Sequence, residues 1–156
     1  MKTIELTIAE QPFFQGLPEE NIRVIAGYSK ILRANGGDLL FQEGGHAGNF
    51  YIIIKGKVAL ETYAPGQGAI TIQTVEGGEI LGWSWLIAPY KYRFGARVIT
   101  STEMIVINGD ELRMQCEQDP VLGYEMMKRM MHAITSRLEQ TRLLFMDVYA
   151  NPANKK

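Results

Sequence analysis

Hydrophobic and polar residues alternate in short runs through the middle of the chain, from about residue 28 to residue 107. An alternation with a period of two places every second side chain on one face, as in a half-buried β-strand. Glycine pairs such as Gly36-Gly37, Gly44-Gly45 and Gly77-Gly78 punctuate these runs as turns do. We therefore predict seven strands, at residues 28–33, 38–42, 50–54, 57–64, 69–75, 94–100 and 104–107.

Two helical signals precede the strands. Thr7 and Glu10 have the spacing of a capping box, although Pro12 limits any helix there to about one turn. Pro18 stands at a helix start and Gly27 just past the end, with apolar residues at helical spacing between them. We expect this second helix to pack against the strands.

After residue 107 the period of the apolar pattern changes from two to 3.6. Asp110 is predicted to open a helix that runs to about Cys116. Asp119 is an N-cap residue, and Pro120 follows it at the first helical position. Together these two residues predict a long helix that runs to about Val148.

Apolar residues recur along this long helix at alternating spacings of four and three. This heptad pattern is typical of a coiled-coil seam, and it comprises Met127, Met131, Ile134, Leu138, Thr141, Phe145 and Val148. A helix of this length extends about 40 Å, which is more than a small sheet needs to cover. The seam either lies on the core of its own domain or forms a homodimer, and the length and the polar interruption at Thr141 favour the dimer.

Short strands with closely spaced glycines indicate a small antiparallel β-roll or jelly roll. The predicted fold is this roll, with flanking helices and a long C-terminal helix. We expect the roll and its N-terminal helices at residues 1–120, a dimerisation-type helix at residues 121–149 and a disordered tail at residues 150–156. A container of this kind can hold one small ligand.

Composition narrows the functional classes. The net charge of −1 over 156 residues gives no overall field that would attract nucleic acid or an anionic membrane. A single cysteine, Cys116, excludes an intramolecular disulfide framework and fits a reducing compartment, with packing as its expected role. The N-terminus lacks a signal peptide pattern, and the apolar stretches are too short to cross a bilayer. We expect a soluble cytoplasmic protein.

Catalytic motifs are missing from the sequence. A metal enzyme built on a β-roll needs two or three converging histidines, whereas His46 lies in a predicted turn and His132 on the long helix. No nucleophile elbow, Walker loop or distinct carboxylate pair is present. We expect a protein that is not an enzyme and that carries no resident metal or cofactor.

Four segments carry a family resemblance. They are residues 37–44 (GDLLFQEG), 50–58 (FYIIIKGKV), 78–82 (GEILG) and 107–112 (INGDEL), the last followed by Asp119-Pro120. In this order and at these distances they resemble the cyclic nucleotide-binding domain family of Crp/Fnr-like regulators, over about residues 13–144. The resemblance implies the same β-roll, a ligand pocket and a dimer helix.

The resemblance also implies where a ligand would bind. In the family, a short helix after the glycine that matches Gly82 directs N–H groups at a cyclic phosphate. A glutamate follows that glycine and binds the ribose hydroxyl, and an arginine pairs with the phosphate. Here Arg93 matches the arginine by ungapped counting, but Trp83 replaces the glutamate and Phe94 follows the arginine. Because an indole N–H accepts no hydrogen bond, we expect cyclic AMP to bind weakly or not at all.

The segment from residue 82 to residue 94 combines aromatic faces with cations, which suit a planar or anionic ligand. The candidate ligand-binding residues are Gly82, Trp83, Ser84, Trp85, Arg93 and Phe94. Two hypotheses remain open. The chain is a stand-alone sensor that binds a small, anionic ligand in its roll, or it is a structural or protein-interaction module whose pocket is plugged by its own aromatic side chains.

DNA binding by this chain alone is not expected. Regulators of the resembling family carry a helix-turn-helix domain after the long helix. About eight residues follow Val148, which are too few to build a recognition helix. The expected partners are therefore a small molecule and a second copy of the chain.

Overall fold

The computed structural model describes residues 3–150, in which a curled antiparallel sheet lies between short N-terminal helices and two C-terminal helices. The helices are α1 (Ile4–Ala9), α2 (Glu19–Ala26), α3 (Gly109–Gln118) and α4 (Pro120–Ala150), with 3-10 turns at Pro12–Phe14 and Trp83–Trp85. The strands are β1 (Ser29–Ala34), β2 (Leu39–Phe41), β3 (Asn49–Ala64), β4 (Gly68–Glu76), β5 (Ile80–Leu81) and β6 (Gly95–Asn108). This arrangement confirms the predicted β-roll with a long C-terminal helix. The predicted tail at residues 150–156 lies outside the described residues, except for Ala150 at the end of α4.

The sheet is organised around β3 and β6, which pair with each other along most of their length. The strand order is β1-β6-β3-β4, and all pairs are antiparallel. Two short strands extend this path, because β2 pairs with β6 and β5 pairs with β3. The pairing of Tyr51 with Leu81 brings the end of β5 beside the first half of β3.

Two pairs of predicted strands are single strands in the structure. The predicted breaks after residue 54 and after residue 100 are wrong, because β3 and β6 continue through both positions. Gly56 has a φ of 120°, and the register between β3 and β6 shifts around it. A Cβ at Gly56 would lie 2.7 Å from the Thr102 Cα atom. Gly56 therefore belongs to a β-bulge that bends one strand, and not to a turn that separates two.

Each face of the sheet carries its own hydrophobic core. In the first half of β3, Phe50 and Ile52 join a cluster that includes residues of all four helices, whereas Tyr51 and Ile53 join a second cluster inside the roll. Successive side chains of a strand point to opposite faces, so this one strand contributes to both clusters. Burial of each large apolar side chain stabilises the fold by about 1.5–3 kcal/mol.

The start of each C-terminal helix is set by a side chain that accepts a backbone hydrogen bond. The Asp119 carboxylate accepts from the Leu122 N–H at 3.2 Å, which confirms the predicted cap of α4. The predicted opening of α3 at Asp110 is wrong, because Asn108 is the cap and accepts from the Glu111 N–H at 3.0 Å.

Of the two N-terminal helices, α1 begins with such a cap, at a different residue from the predicted one, whereas α2 has no side-chain cap. α1 is capped by Thr3, whose hydroxyl accepts from the Leu6 N–H at 3.2 Å, so Thr7 lies inside the helix and does not begin it. α2 lies between Pro18 and Gly27, as predicted.

α4 joins the hydrophobic core through one face of its first half, and in its second half Arg137 and Gln140 hydrogen-bond to Ile80 and Gln73. Leu122, Met126 and Met130 are buried, and they lie in the helix-side cluster. The predicted seam lies on another face, where Leu138 is 68% exposed and Phe145 is 63% exposed. α4 thus lies on its own domain through residues other than the seam, and the pairing of the seam in a homodimer stays a prediction. No helix in residues 3–150 is long and apolar enough to cross a membrane.

Candidate functional site

The segment that contains the predicted site begins where β5 ends against β3. Gly82 follows β5 with a φ of 81° and leads into the 3-10 helix Trp83–Trp85. A Cβ at Gly82 would lie 3.0 Å from the Asn49 carbonyl oxygen. The close approach of this backbone to β3 therefore favours glycine at this position.

Three aromatic side chains occupy the roll beneath Gly82. A Cβ added to Gly82 would be 3.3 Å from ring atoms of both Tyr51 and Tyr92. The Phe41 ring stacks on Tyr92 at a centroid distance of 3.7 Å and on Tyr51 at 5.6 Å. All three side chains are buried, so the space beside Gly82 is filled by the protein itself. We call Phe41, Tyr51 and Tyr92 the aromatic plug.

The two phenols of the aromatic plug are held neutral. The Tyr92 hydroxyl donates to the Asn49 carbonyl at 2.8 Å and accepts from the Asn49 N–H at 3.2 Å. Burial raises the pKa of Tyr92 well above its ordinary value, and it raises the pKa of Tyr51 in the same direction. Near neutral pH the inside of the roll therefore presents aromatic surface and uncharged hydroxyls.

Trp85 lies apart from the aromatic plug. Its side chain is fully buried in the helix-side cluster, with its ring centroid 5.6 Å from that of Phe50. The Trp85 indole nitrogen makes no hydrogen bond to any residue from 3 to 150. The structure thus separates Trp85 from the interior of the roll by the thickness of the sheet.

The other predicted residues lie around the edge of the roll. The rings of Trp83 and Phe94 meet edge to face at 6.1 Å, and both side chains are half-buried. Ser84 is buried in the 3-10 helix, and Arg93 is exposed. The structure brings Trp83 and Phe94 together and leaves Arg93 in solvent beside Phe94.

Sequence reasoning missed all three residues of the aromatic plug. Tyr92 lies within the segment that was singled out, but Tyr51 and Phe41 come from strands that are distant in sequence. The sequence did contain a signal for Tyr51. Residues 50–54 are all apolar or aromatic, so both faces of this strand are expected to be buried, and Tyr51 points to the opposite face from Phe50. The stacking of Phe41 on Tyr92 accompanies backbone hydrogen bonds between Tyr92 and the Gly44-Gly45 turn, a pairing of distant segments that no local pattern predicts.

Chemistry other than ligand binding has little support in the geometry. Within the described range, residues 3–150, no three His, Cys, Asp or Glu side chains are grouped so as to hold a metal ion. Burial raises the pKa of the Cys116 thiol to about 11. Because a thiolate is the nucleophilic form of cysteine, Cys116 is unreactive near neutral pH and acts as a packing residue.

Comparison with known protein families supports this description of the fold. The family model for the cyclic nucleotide-binding domain matches residues 31–119. This match covers the sheet from β1 onward and all of α3. No curated protein matches the sequence.

Several solved structures are similar over most of the chain. A Geobacter metallireducens protein named for cyclic nucleotide binding is 30% identical, with 88% of this chain and 99% of that one covered and a TM-score of 0.78. A cyclic nucleotide-binding-like protein from Brucella abortus is also 30% identical, over 74% of this chain and 99% of that one, with a TM-score of 0.61. The regulatory subunit of a cAMP-independent protein kinase A from Trypanosoma brucei shares the fold at 16% identity, with a TM-score of 0.70 over 90% of this chain and 50% of that one.

Proposed function

The chain belongs to the cyclic nucleotide-binding domain family, and from this premise we propose that it is a regulatory interaction module whose roll binds no cyclic nucleotide. In this proposal the aromatic plug takes the place of a ligand. The roll then acts as a fixed scaffold, and regulation depends on what the outer surfaces of the domain contact.

The observation that carries this proposal is the contact of Tyr51 and Tyr92 with Gly82. The family resemblance implies that a cyclic phosphate would lie at the start of the short helix that follows this glycine. Here both rings reach to within van der Waals distance of the Gly82 position. A nucleotide could enter only if two buried aromatic side chains moved out, and their burial and stacking oppose this movement.

The charges near the segment support the same conclusion. Trp83 stands where the resemblance implies a ribose-binding glutamate, and its indole N–H accepts no hydrogen bond. Arg93 is exposed rather than turned into the roll. The Trypanosoma brucei structure offers a precedent, because it is the regulatory subunit of a cAMP-independent protein kinase A.

The proposed interaction surface includes the seam of α4. Met131, Leu138 and Phe145 share one exposed helical face, and an apolar stripe of this length disfavours a monomer in water. We propose that two copies pair through this seam as a homodimer. Dimerisation would bury the stripe in the manner of a coiled coil.

Calorimetric titration with cyclic AMP and cyclic GMP tests the proposed function. We expect no saturable heat at nucleotide concentrations up to about 1 mM, which corresponds to binding weaker than about −4 kcal/mol. Thermal shift supplies an independent measurement, because a ligand that binds only the folded state raises the melting temperature. Micromolar binding of either nucleotide would contradict the proposal.

A second candidate function rests on the edge of the roll. The half-buried rings of Trp83 and Phe94 form an aromatic corner, and the exposed Arg93 immediately precedes Phe94 in the chain. A small aromatic anion could stack on this corner, with Gly82 and Ser84 in the adjoining turn, and pair with Arg93. Titration with phenyl phosphate separates the two functions, since the Arg93→Gln variant loses this binding only if the corner is a ligand site.

A further inference from the structure

A groove runs along α4 on the side that faces the N-terminal 3-10 turn and the start of β5. Its volume is about 660 Å³, which is within the range of sites that hold small ligands. The α4 wall extends from Glu125 to Gln140, or about 22 Å along the helix axis. Pro12, Phe13 and Ile80 contribute apolar surface. We call this the α4 groove.

Arg137 gives the α4 groove a cation that lacks a carboxylate partner. Its guanidinium is half-buried and donates to the Ile80 carbonyl. Among residues 3–150, no Asp or Glu oxygen lies within salt-bridge distance of it. A guanidinium has five N–H donors, so Arg137 is able to bind an anionic group from solvent.

The other charges in the α4 groove are arranged so that Arg137 remains the free cation. Glu125 pairs with Lys128 at 3.0 Å and with Arg129 at 3.4 Å. Burial lowers the pKa of Arg137, and the charge of Glu79 raises it. Glu79 lines the same groove, so it places a negative charge near any anion that binds Arg137. His132 also lines the groove, on the α4 wall.

We propose that the α4 groove binds a small amphiphilic monocarboxylate, with its carboxylate on Arg137 and its apolar part against Phe13 and Ile80. A carboxylate matches the guanidinium fork and can form two parallel hydrogen bonds with it. Glu79 also lines the groove and offsets the charge of Arg137, so a bound dianion would leave more uncompensated negative charge there than a monoanion, which favours a carboxylate over a phosphate monoester. The groove lies outside the interior of the roll, so this proposal can be tested independently of the proposed function.

The α4 groove also remains open if α4 pairs with a second copy. With 3.6 residues in each turn, Glu125 and Ser136 point in roughly the opposite direction from Ile134 and Leu138. The predicted seam and the centre of the groove therefore occupy opposite flanks of the helix, and Arg137, about 60° from Ile134 around the helix axis, lies at the edge of the groove. A ligand in the groove would contact α4 and the roll of the same chain.

Calorimetric titration with octanoate tests the proposal, with octylamine and octyl phosphate as probes of the same chain length. We expect octanoate to bind with a dissociation constant of about 1 mM or tighter, octyl phosphate to bind more weakly and octylamine to give no saturable heat. The proposal is overturned if octanoate and octylamine bind equally. It is also overturned if octanoate gives no saturable heat at about 10 mM. Tighter binding of octyl phosphate than of octanoate overturns the choice of a carboxylate.

Two variants locate the binding. Arg137→Gln keeps a donor for the Ile80 carbonyl but removes the charge, and it should weaken octanoate binding about tenfold or more. Arg142→Gln is the matched control, because Arg142 lies on the same helix, exposed and paired with Glu139. If circular dichroism shows that Arg137→Gln is unfolded, the Ser136→Trp variant fills the groove from an exposed position and should abolish binding. Unchanged octanoate affinity in the folded variants overturns the assignment.

Discussion

The guanidinium of Arg113 lies 3.9 Å from the centre of the Tyr90 ring. The same guanidinium donates to the Trp85 carbonyl at 2.7 Å and to the Asp110 carboxylate at 3.2 Å. One side chain of α3 thus holds both ends of the loop that follows the 3-10 helix. Because the contacts use several faces of a planar, forked group, a lysine cannot reproduce them.

Replacement of Arg113 should loosen this loop. We expect Arg113→Lys to lower the free energy of unfolding by about 1–3 kcal/mol, since it removes a hydrogen bond from a charged donor and weakens the stacking on Tyr90. Urea denaturation measures the change, and amide hydrogen exchange should show faster opening near residues 86–92. Arg23→Lys, at an exposed position of α2, is the control, and its free energy of unfolding should stay within about 0.5 kcal/mol of that of the unmodified protein. Equal stability of the two variants would mean that Arg113 does not hold the loop.

The Tyr92 hydroxyl should make stability depend on alkaline pH. Burial raises its pKa in the folded state, whereas an unfolded tyrosine ionises near pH 10. Above about pH 10 the unfolded chain loses a proton that the folded chain keeps, so the free energy of unfolding falls as pH rises. Tyr92→Phe should cost about 1 kcal/mol at pH 8, and the difference from the unmodified protein should shrink above pH 10. A constant difference across that range would argue against a buried, neutral phenol at this position.

Gly56 should be among the least replaceable positions of the sheet. In Gly56→Ala, the new Cβ would come within 2.8 Å of the Ser101 carbonyl oxygen as well as close to the Thr102 backbone, so backbone must shift. We expect a loss of about 2–4 kcal/mol, or a fall in Tm of roughly 4–16 °C at 2–4 °C per kcal/mol. Gly66→Ala is the matched control, because it also has a positive φ but meets open space. The bulge would matter little if both alanine variants melted together.

The seam of α4 should determine the oligomeric state. Leu138→Glu places a charge in the middle of the exposed apolar face, where burial in a dimer would cost several kcal/mol. We expect this variant to be a monomer with a folded roll, and the unmodified protein to be a dimer. Size-exclusion chromatography with light scattering measures both. Ser136→Glu, on the opposite flank of the helix, should remain dimeric, and a monomeric unmodified protein would end the dimer hypothesis.

Restoring the family residues at the edge of the roll should not be sufficient for nucleotide binding. Trp83→Glu with Phe94→Ser supplies a carboxylate and removes an aromatic ring, but Tyr51 and Tyr92 still contact the Gly82 position. We therefore expect no measurable cyclic AMP binding by this double variant in calorimetry. Submillimolar binding would show that the aromatic plug is easily displaced and that the edge residues decide affinity.

The sequence predicted the architecture well because strand alternation and helix capping, the two signals used, are both local. Alternation in β1 and β4 and the capping of α4 by Asp119 each depend on a few neighbouring residues. The side chains that fill the roll were harder to predict from the sequence, because Phe41 contacts Tyr92 only after two distant segments pair. The candidates chosen from residues 82–94 included the buried Trp85 but not Tyr92, and Tyr51 lies outside that segment.

The bulge at Gly56 changes which positions of β3 face the inside of the roll. Before it, the inward side chains have odd numbers, Tyr51 and Ile53, and after it they have even numbers, Val58 and Leu60. One strand thus carries two reading frames of inward and outward positions. Insertion of a single residue between Gly56 and Lys57, with the bulge kept, would shift the second half of β3 by one position, exposing Val58 and turning Lys57 inward. For this protein, such an insertion is therefore a far larger change than any conservative substitution along β3.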